Sequence, residues 1–303
     1  MSRPESRVPS PESQLSIAFI GGGNMARSLV GGLIARGMSA AAIRVAEPVD
    51  DARVTLEHDF GVRVFADNAR AVQDADVWVL AVKPQVLRAV CEALAGLARA
   101  RRPLVVSIAA GITSAQLSRW LGGDAAVVRC MPNTPALLGA GVTGLFATAA
   151  VDADGRARAQ ALLSSAGATV WIDDEAKMDA VTAVSGSGPA YVFLLAEAME
   201  QAAIAEGLPA AAARMLVRHT VLGAARMLTE SEDAPSELRR RVTSPGGTTQ
   251  AAIETLEQGE FRHLLADAIR NATERGRQLA AANEAPLAGG LIDAAVGKGQ
   301  RDG

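Results

Sequence analysis

The sequence predicts an α/β protein in which a doubly wound parallel sheet is followed by an all-helical region. Two observations support this prediction. Up to about residue 173, short β-branched apolar runs alternate with stretches of helical spacing, which is the pattern of parallel strands joined by crossover helices. From residue 174 onward the strand-like runs disappear and only helical spacing remains. We therefore expect a Pro- and Ser-rich disordered tail over residues 1–14, followed by two domains over residues 15–173 and 174–303.

The predicted strands are continuous apolar runs, as expected for strands that helices cover on both faces. They span residues 15–20, 43–46, 76–82, 103–109, 125–130, 141–148 and 168–172. Helical spacing separates them most clearly over residues 25–37, 84–100 and 152–166.

The second half of the chain has the spacing of successive helices. The first helical stretch, residues 178–202, is interrupted by SGSGPAY at residues 185–191, and we expect this break to let the helix approach a cofactor or a partner subunit. Further helices are predicted over residues 211–228, 232–242, 248–259 and 260–282. An isolated bundle of this kind would leave apolar stripes exposed, so we expect a homodimer.

Composition narrows the class of protein. The chain has 303 residues and a net charge of −3 with interspersed signs, so we expect no nucleic-acid partner. No apolar run is long enough to span a bilayer, and we expect no membrane partner. The N-terminus lacks a signal core, and the two cysteines, Cys91 and Cys130, are typical of a reduced, cytoplasmic protein. We assign no metal site.

A glycine-rich turn follows the first predicted strand. In FIGGGNMA, Gly21, Gly23 and Ala26 have the spacing G-x-G-x-x-A between a strand and a helix. Such a turn allows a pyrophosphate to approach the backbone at a helix N-terminus, so we predict a Rossmann dinucleotide site. Glu47 follows the second strand, where an acid binds ribose hydroxyls and would repel the 2′-phosphate of NADP. Lys83 follows another strand and would face the same crevice.

The chain resembles the pyrroline-5-carboxylate reductases. The motifs that carry the resemblance are IGGGNMA, AVKPQ, SIAAGIT, RCMPNTP, AVSGSGPAY and LRRRVTSPGGTTQAAI. They occur in the family's order over roughly residues 15–282, and the SPGGTT stretch is the most specific of them. The resemblance implies a Rossmann domain followed by a helical dimerisation domain, and NADPH or NADH as the cofactor. It also implies reduction of the cyclic imine 1-pyrroline-5-carboxylate to L-proline, in dimers that assemble into a decamer.

The resemblance further implies which residues contact the ligands. The implied cofactor contacts are Ile20, Gly21, Gly22, Gly23, Asn24, Met25, Asn68, Ala81, Val82, Lys83, Pro84, Ser107, Ala109 and Ala110. The implied contacts to substrate or product are Glu175, Thr248 and Thr249. Glu47 departs from the small hydroxyl residue of many NADPH-preferring members, which sets the residue-based expectation of NADH against the family's frequent use of NADPH.

The SPGGTT stretch has the chemistry of a carboxylate cradle. Pro245, Gly246 and Gly247, preceded by Ser244, shape a turn into a helix predicted to begin near Thr248. The N–H groups of Gly247, Thr248 and Thr249 in its first turn are predicted to be free and would donate hydrogen bonds to a carboxylate. We hypothesise that the Thr249 hydroxyl bonds the ring nitrogen and delivers or relays the proton. The histidines His58, His219 and His263 lie in helical patterns away from the motifs, so we expect structural roles for them.

Two alternatives stay open at this stage. A related imine or β-hydroxyacid reductase would share the two-domain plan, although the latter's catalytic lysine motif is not found around Lys177. A non-catalytic dinucleotide-binding protein would explain the glycine turn and leave SPGGTT without a role.

Overall fold

An eight-stranded sheet forms the first half of the protein. The structure is a computed structural model and describes residues 15–283. The strands are β1 (Ile17–Ile20), β2 (Ile43–Ala46), β3 (Arg63–Phe65), β4 (Val77–Leu80), β5 (Leu104–Ser107), β6 (Ala126–Met131), β7 (Gly141–Ala147) and β8 (Gly167–Trp171). Their order is β3-β2-β1-β4-β5-β6-β7-β8, so the chain reverses its direction of travel across the sheet between β1 and β4. In open α/β sheets ligands bind at such a switch point.

Helices cover both faces of the sheet. They are α1 (Asn24–Ala35), α2 (Asp50–Phe60), α3 (Asn68–Val72), α4 (Pro84–Arg101), α5 (Ser114–Trp120) and α6 (Ala153–Ser164). Along β1, Phe19 packs into the core shared with α1, α2 and α6, and its neighbour Ile20 packs into the core shared with α3, α4 and α5. Alternate residues of one strand thus serve two cores, which confirms the predicted doubly wound arrangement.

The sheet differs from the prediction in one strand direction. β7 pairs antiparallel with β6, through Arg129 opposite Phe146, and β8 is parallel to β7. The prediction of an all-parallel sheet is therefore wrong for β7 and β8. Only a short 3₁₀ turn at Thr134–Leu138 separates β6 from β7, and a parallel crossover needs about a dozen residues or more.

The second half of the described chain is helical, as predicted. Its α-helices are α7 (Met178–Val181), α8 (Gly188–Ala205), α9 (Ala210–Glu230), α10 (Pro235–Arg241), α11 (Thr248–Gln258) and α12 (Phe261–Ala282). Helix α9 packs against α8, α10 against α9, and α11 against α12, while α12 returns to α7 beside the sheet. No helix within residues 15–283 combines the length and apolar character that crossing a membrane requires. The predicted tail at 1–14 and the residues after 283 lie outside the described residues.

The predicted break at SGSGPAY is a π-helix over Thr182–Gly186 that is tied to the sheet. Asn133, which follows β6, donates from Nδ2 to the Ser185 carbonyl at 3.1 Å and accepts from the Val142 N–H at 2.9 Å. Tyr191 donates its hydroxyl to the Ala183 carbonyl at 2.9 Å. A Cβ on Gly186 would lie 2.7 Å from Met131 Cε, so the glycine permits this close packing.

Candidate functional site

The glycine turn after β1 brings three strand ends together. Gly21 has φ +101°, a conformation that favours glycine, and its N–H donates to the Ala46 carbonyl at the end of β2 at 2.9 Å. A Cβ on Gly21 would lie 2.8 Å from the Ala81 carbonyl oxygen, just beyond β4. Gly21 is therefore required for the tight turn at the switch point of the sheet.

Gly23 leaves the N-terminus of α1 open. It is the N-cap of the helix, and no side chain caps it. A Cβ built on Gly23 would have no atom within 4 Å, and the residue is exposed. Free N–H groups, an exposed backbone and the positive end of the helix dipole fit the pyrophosphate of a dinucleotide.

Glu47 is held against the glycine turn. Its Oε2 accepts from the Gly22 N–H at 3.0 Å, and its Oε1 accepts from the Val49 N–H at 3.1 Å. Arg53 donates to the Glu47 carbonyl at 2.6 Å. The Glu47 carboxylate is therefore placed by the backbone, at the carboxyl end of β2.

The other cofactor residues implied by the resemblance lie around the same edge. They differ in exposure: Ile20, Ser107 and Ala109 are buried, Met25, Asn68, Ala81, Val82 and Pro84 are half-buried, and Asn24, Lys83 and Ala110 are exposed. Ser107 Oγ accepts from the Ala109 N–H at 3.4 Å. The exposed members, Asn24, Lys83 and Ala110, are accessible to a ligand.

The SPGGTT stretch forms the turn into α11. Gly246 has φ +71°, and its N–H donates to Gln250 Oε1 at 2.7 Å. The Gly247 N–H donates to the Ser244 carbonyl at 3.0 Å, so it is not a free donor as the sequence suggested. The reason is local, because the turn closes on itself before the helix begins.

The remaining donors of this turn are free. Within residues 15–283, the N–H groups of Thr248 and Thr249 have no acceptor, and no side chain caps α11. The hydroxyls of Ser244, Thr248 and Thr249 have no hydrogen bond to any residue in the same described range. We call Ser244, Gly246, Gly247, Thr248 and Thr249 the α11 cradle.

Two of the three arginines before the α11 cradle, Arg240 and Arg241, are paired with carboxylates. Arg240 and Arg241 both bind Glu237, at 2.7 Å and 3.0 Å, and Arg241 also binds Asp233 at 2.6 Å. The hydrogen bond from Arg240 lowers the pKa of Glu237 to about 2, with a further contribution from Arg241. These guanidiniums therefore fix the end of α10 and are not spare charges for an anionic substrate.

Glu175 lies in a network that the sequence analysis did not predict. The Ser114 N–H and hydroxyl donate to its two carboxylate oxygens at 2.7 Å and 2.5 Å, and Arg129 Nη1 donates to it at 3.3 Å. Arg129, a buried residue of β6, also reaches Asp179 of α7 at 3.4 Å. The sequence feature that could have indicated this network is Arg129, a charged residue within a strand-like run of apolar residues.

Other reactive side chains lie away from these features. His58, His219 and His263 are exposed on α2, α9 and α12. Burial raises the pKa of the Cys91 thiol to about 12, and burial also raises the pKa of Cys130. No group of three or more His, Cys, Asp or Glu side chains within residues 15–283 is arranged to hold a metal ion.

A separate cavity of about 960 Å³ is not part of the site. It lies at the amino-terminal ends of β5 and β6 and is lined by Arg99, Asp124 and Arg158, among others. No residue of the glycine turn or the α11 cradle lines it.

Comparisons with known proteins agree with this geometry. The model of the pyrroline-5-carboxylate reductase dimerisation family matches residues 175–279, and the model described as NADP oxidoreductase coenzyme F420-dependent matches residues 16–111. The chain is 53% identical over 264 residues to a pyrroline-5-carboxylate reductase of Pseudomonas aeruginosa, covering 87% of this chain and 96% of that protein.

Solved structures give the same result. A pyrroline-5-carboxylate reductase from Coxiella burnetii is 43% identical with a TM-score of 0.85, covering 88% of this chain and 98% of that chain. The pyrroline carboxylate reductase of Plasmodium falciparum with NADP bound is 26% identical with a TM-score of 0.77, covering 88% and 99%.

Proposed function

The chain belongs to the pyrroline-5-carboxylate reductase family, and from this premise we propose how its residues reduce 1-pyrroline-5-carboxylate to L-proline. As a member of the family, the protein is an NAD(P)H-dependent oxidoreductase that acts on a cyclic imine in proline biosynthesis. The single observation that carries the residue assignment is the pair of open helix N-termini, one behind Gly23 and one at the α11 cradle.

The turn after β1 is the site that fits the dinucleotide. Gly23 offers an unobstructed backbone for the pyrophosphate, and the N-terminus of α1 supplies N–H donors. Glu47 lies where the adenosine ribose is held in this fold. The segments after β4 and β5, with Ala81–Pro84 and Ser107–Ala110, border the nicotinamide half. When bound, the reduced nicotinamide supplies the hydride for the imine carbon.

The α11 cradle is the site that fits the substrate carboxylate. The free N–H groups of Thr248 and Thr249 lie at the positive end of α11, and Gly246 and Gly247 leave the backbone accessible. A carboxylate there satisfies donors for which no residue within 15–283 is an acceptor.

The ring nitrogen needs a hydrogen-bond partner. The free hydroxyl of Thr249 is next to the carboxylate donors, and we assign it to orient the ring and to hold or relay the proton at nitrogen. The resemblance also assigns Glu175 to the substrate, and such a contact would have to be added to its bonds with Ser114 and Arg129 or replace them.

The assembly and location belong to the same proposal. We place the boundary between the dinucleotide-binding domain and the helical dimerisation and substrate domain after residue 173. We infer that residues 174–303 form the homodimer and that the dimers assemble further into a decamer. Apolar side chains exposed on α8 and α9, among them Phe193, Leu194 and Met215, support burial by a second copy. Two buried free thiols support a cytoplasmic location.

The test of this assignment is Thr249→Val. We expect turnover of 1-pyrroline-5-carboxylate to fall at least tenfold, because the variant lacks the hydroxyl that serves the ring nitrogen, while the dissociation constant for the cofactor stays unchanged. Thr255→Val is the matched control, since Thr255 lies further along α11, away from its N-terminus, and its hydroxyl donates to the Ala251 carbonyl at 3.0 Å. Wild-type turnover by Thr249→Val would remove Thr249 from the mechanism.

A further inference from the structure

We propose that the segment joining β2 to α2 makes this protein selective for NADH over NADPH, with Glu47 as the residue that determines the choice. The inference depends on the dinucleotide site proposed above. It concerns the adenosine end of that site, which the chemistry of the imine does not involve.

The Glu47 carboxylate is held in a fixed position. Both of its oxygens accept backbone N–H groups, from Gly22 at 3.0 Å and from Val49 at 3.1 Å. A Cβ on Gly22 would lie 3.2 Å from Oε2, so the carboxylate lies directly against the glycine turn. A carboxylate has about four lone-pair sites, so the two that remain are available to two ribose hydroxyls.

Arg53, which contacts the Glu47 backbone, already has hydrogen-bond and ion-pair partners. Arg53 donates to the Glu47 carbonyl at 2.6 Å and to the Pro48 carbonyl at 2.8 Å, and it pairs with Asp50. It would have to give up these bonds to reach a 2′-phosphate. The side chain therefore stabilises the turn rather than offering a free charge.

The Arg44 side chain is oriented into the protein. It is 6% exposed, donates to the Arg70 carbonyl at 3.0 Å and pairs with Asp74 at 3.2 Å. Its guanidinium also lies 5.0 Å from the ring centroid of Phe65. Arg44 is two residues before the end of β2, so it is set back from the edge where the ribose binds.

The segment that joins β2 to α2 carries a net negative charge. Residues 47–53 read EPVDDAR, and in this segment the acidic residues Glu47, Asp50 and Asp51 outnumber the single basic residue, Arg53. A 2′-phosphate would bring further negative charge into a segment that is already negative, and a buried or fixed carboxylate repels it at short range. The 2′-hydroxyl of NADH meets an acceptor there instead of a like charge.

The experiment is equilibrium binding, followed through nicotinamide fluorescence, of NADH and NADPH to the full chain. We expect the wild-type protein to bind NADH at least tenfold more tightly than NADPH, with a wider gap at low ionic strength, because salt screens the repulsion. In Glu47→Ser the ratio of the two dissociation constants should fall at least tenfold. Glu57→Gln, which removes one exposed carboxylate further along α2, is the matched charge control and should keep the wild-type ratio.

The outcomes separate this inference from the proposed function. Equal or tighter binding of NADPH by the wild type, or a ratio that Glu47→Ser does not move, overturns the inference. Binding of neither dinucleotide overturns it together with the cofactor site. A clear NADH preference without any reduction of 1-pyrroline-5-carboxylate supports the inference and contradicts the proposed function.

Discussion

At the residue scale, each of the three consecutive glycines after β1 is explained by a different feature of its surroundings. Gly21 has the positive φ that the turn needs, and Gly22 lies under the Glu47 carboxylate and Leu56. Gly23 alone faces open space. A glycine with no packing reason at a helix N-terminus is best explained by a ligand that approaches its backbone.

Gly23→Ala tests that explanation. The added Cβ meets no protein atom, so we expect the free energy of unfolding to change by less than about 1 kcal/mol, while the dissociation constant for the dinucleotide rises at least tenfold. Gly96→Ala is the control, because Gly96 is exposed in α4 and its Cβ also meets open space. It should leave binding unchanged and stabilise the helix by about 0.5–1 kcal/mol. Unchanged cofactor binding in Gly23→Ala would argue against a pyrophosphate at this position.

At the same scale, sequence reasoning located the glycine turn and Glu47, because their spacing is local. It did not find the partners of Glu175, because Ser114 lies 61 residues away in the chain and Arg129 lies 46 residues away. It also took the Gly247 N–H as free, although the turn satisfies it internally. Long-range polar contacts are set by packing that periodicity does not encode.

At the scale of elements, the buried Arg129 holds four segments together. It lies in β6 and pairs with Glu175 of a 3₁₀ turn and with Asp179 of α7, while Glu175 accepts from Ser114 at the start of α5. The network therefore attaches the first helices of the second half to the sheet.

Arg129→Met should be strongly destabilising. Two largely buried carboxylates would lose their cation, so we expect a loss of about 3 kcal/mol in the free energy of unfolding, measured by urea denaturation. Arg88→Met breaks an exposed ion pair with Glu92 on α4 and should cost less than about 1 kcal/mol. Equal losses in the two variants would show that the network contributes no more than a surface pair.

Helices and strands were predicted well where the periodic pattern in the sequence was long, and poorly where it was short. Helices α9, α11 and α12 were predicted closely, because each has at least three turns of regular spacing. The three-residue edge strand β3 was not predicted, because its burial is incomplete and its pattern too brief. The break at SGSGPAY became a π-helix, since Asn133 and Tyr191 satisfy its carbonyls from outside the helix.

At the scale of the whole molecule, the two halves are built differently. The sheet has fully buried cores on both faces, whereas α8, α11 and α12 have no buried residue in the single chain. A chain with so much helical surface exposed is consistent with the match of residues 175–279 to a dimerisation family. The α11 cradle lies in this second half, so under the proposed assignment substrate binding and assembly would depend on the same helices.

The most decisive test of the proposed function is the reduction of 1-pyrroline-5-carboxylate by the full chain. The loss of nicotinamide absorbance at saturating cofactor would be followed together with the formation of L-proline. We expect rapid oxidation of the cofactor, with one proline formed for each reduced nicotinamide consumed. Tight binding of the cofactor without formation of proline would contradict the account and support a dinucleotide-binding protein without this activity.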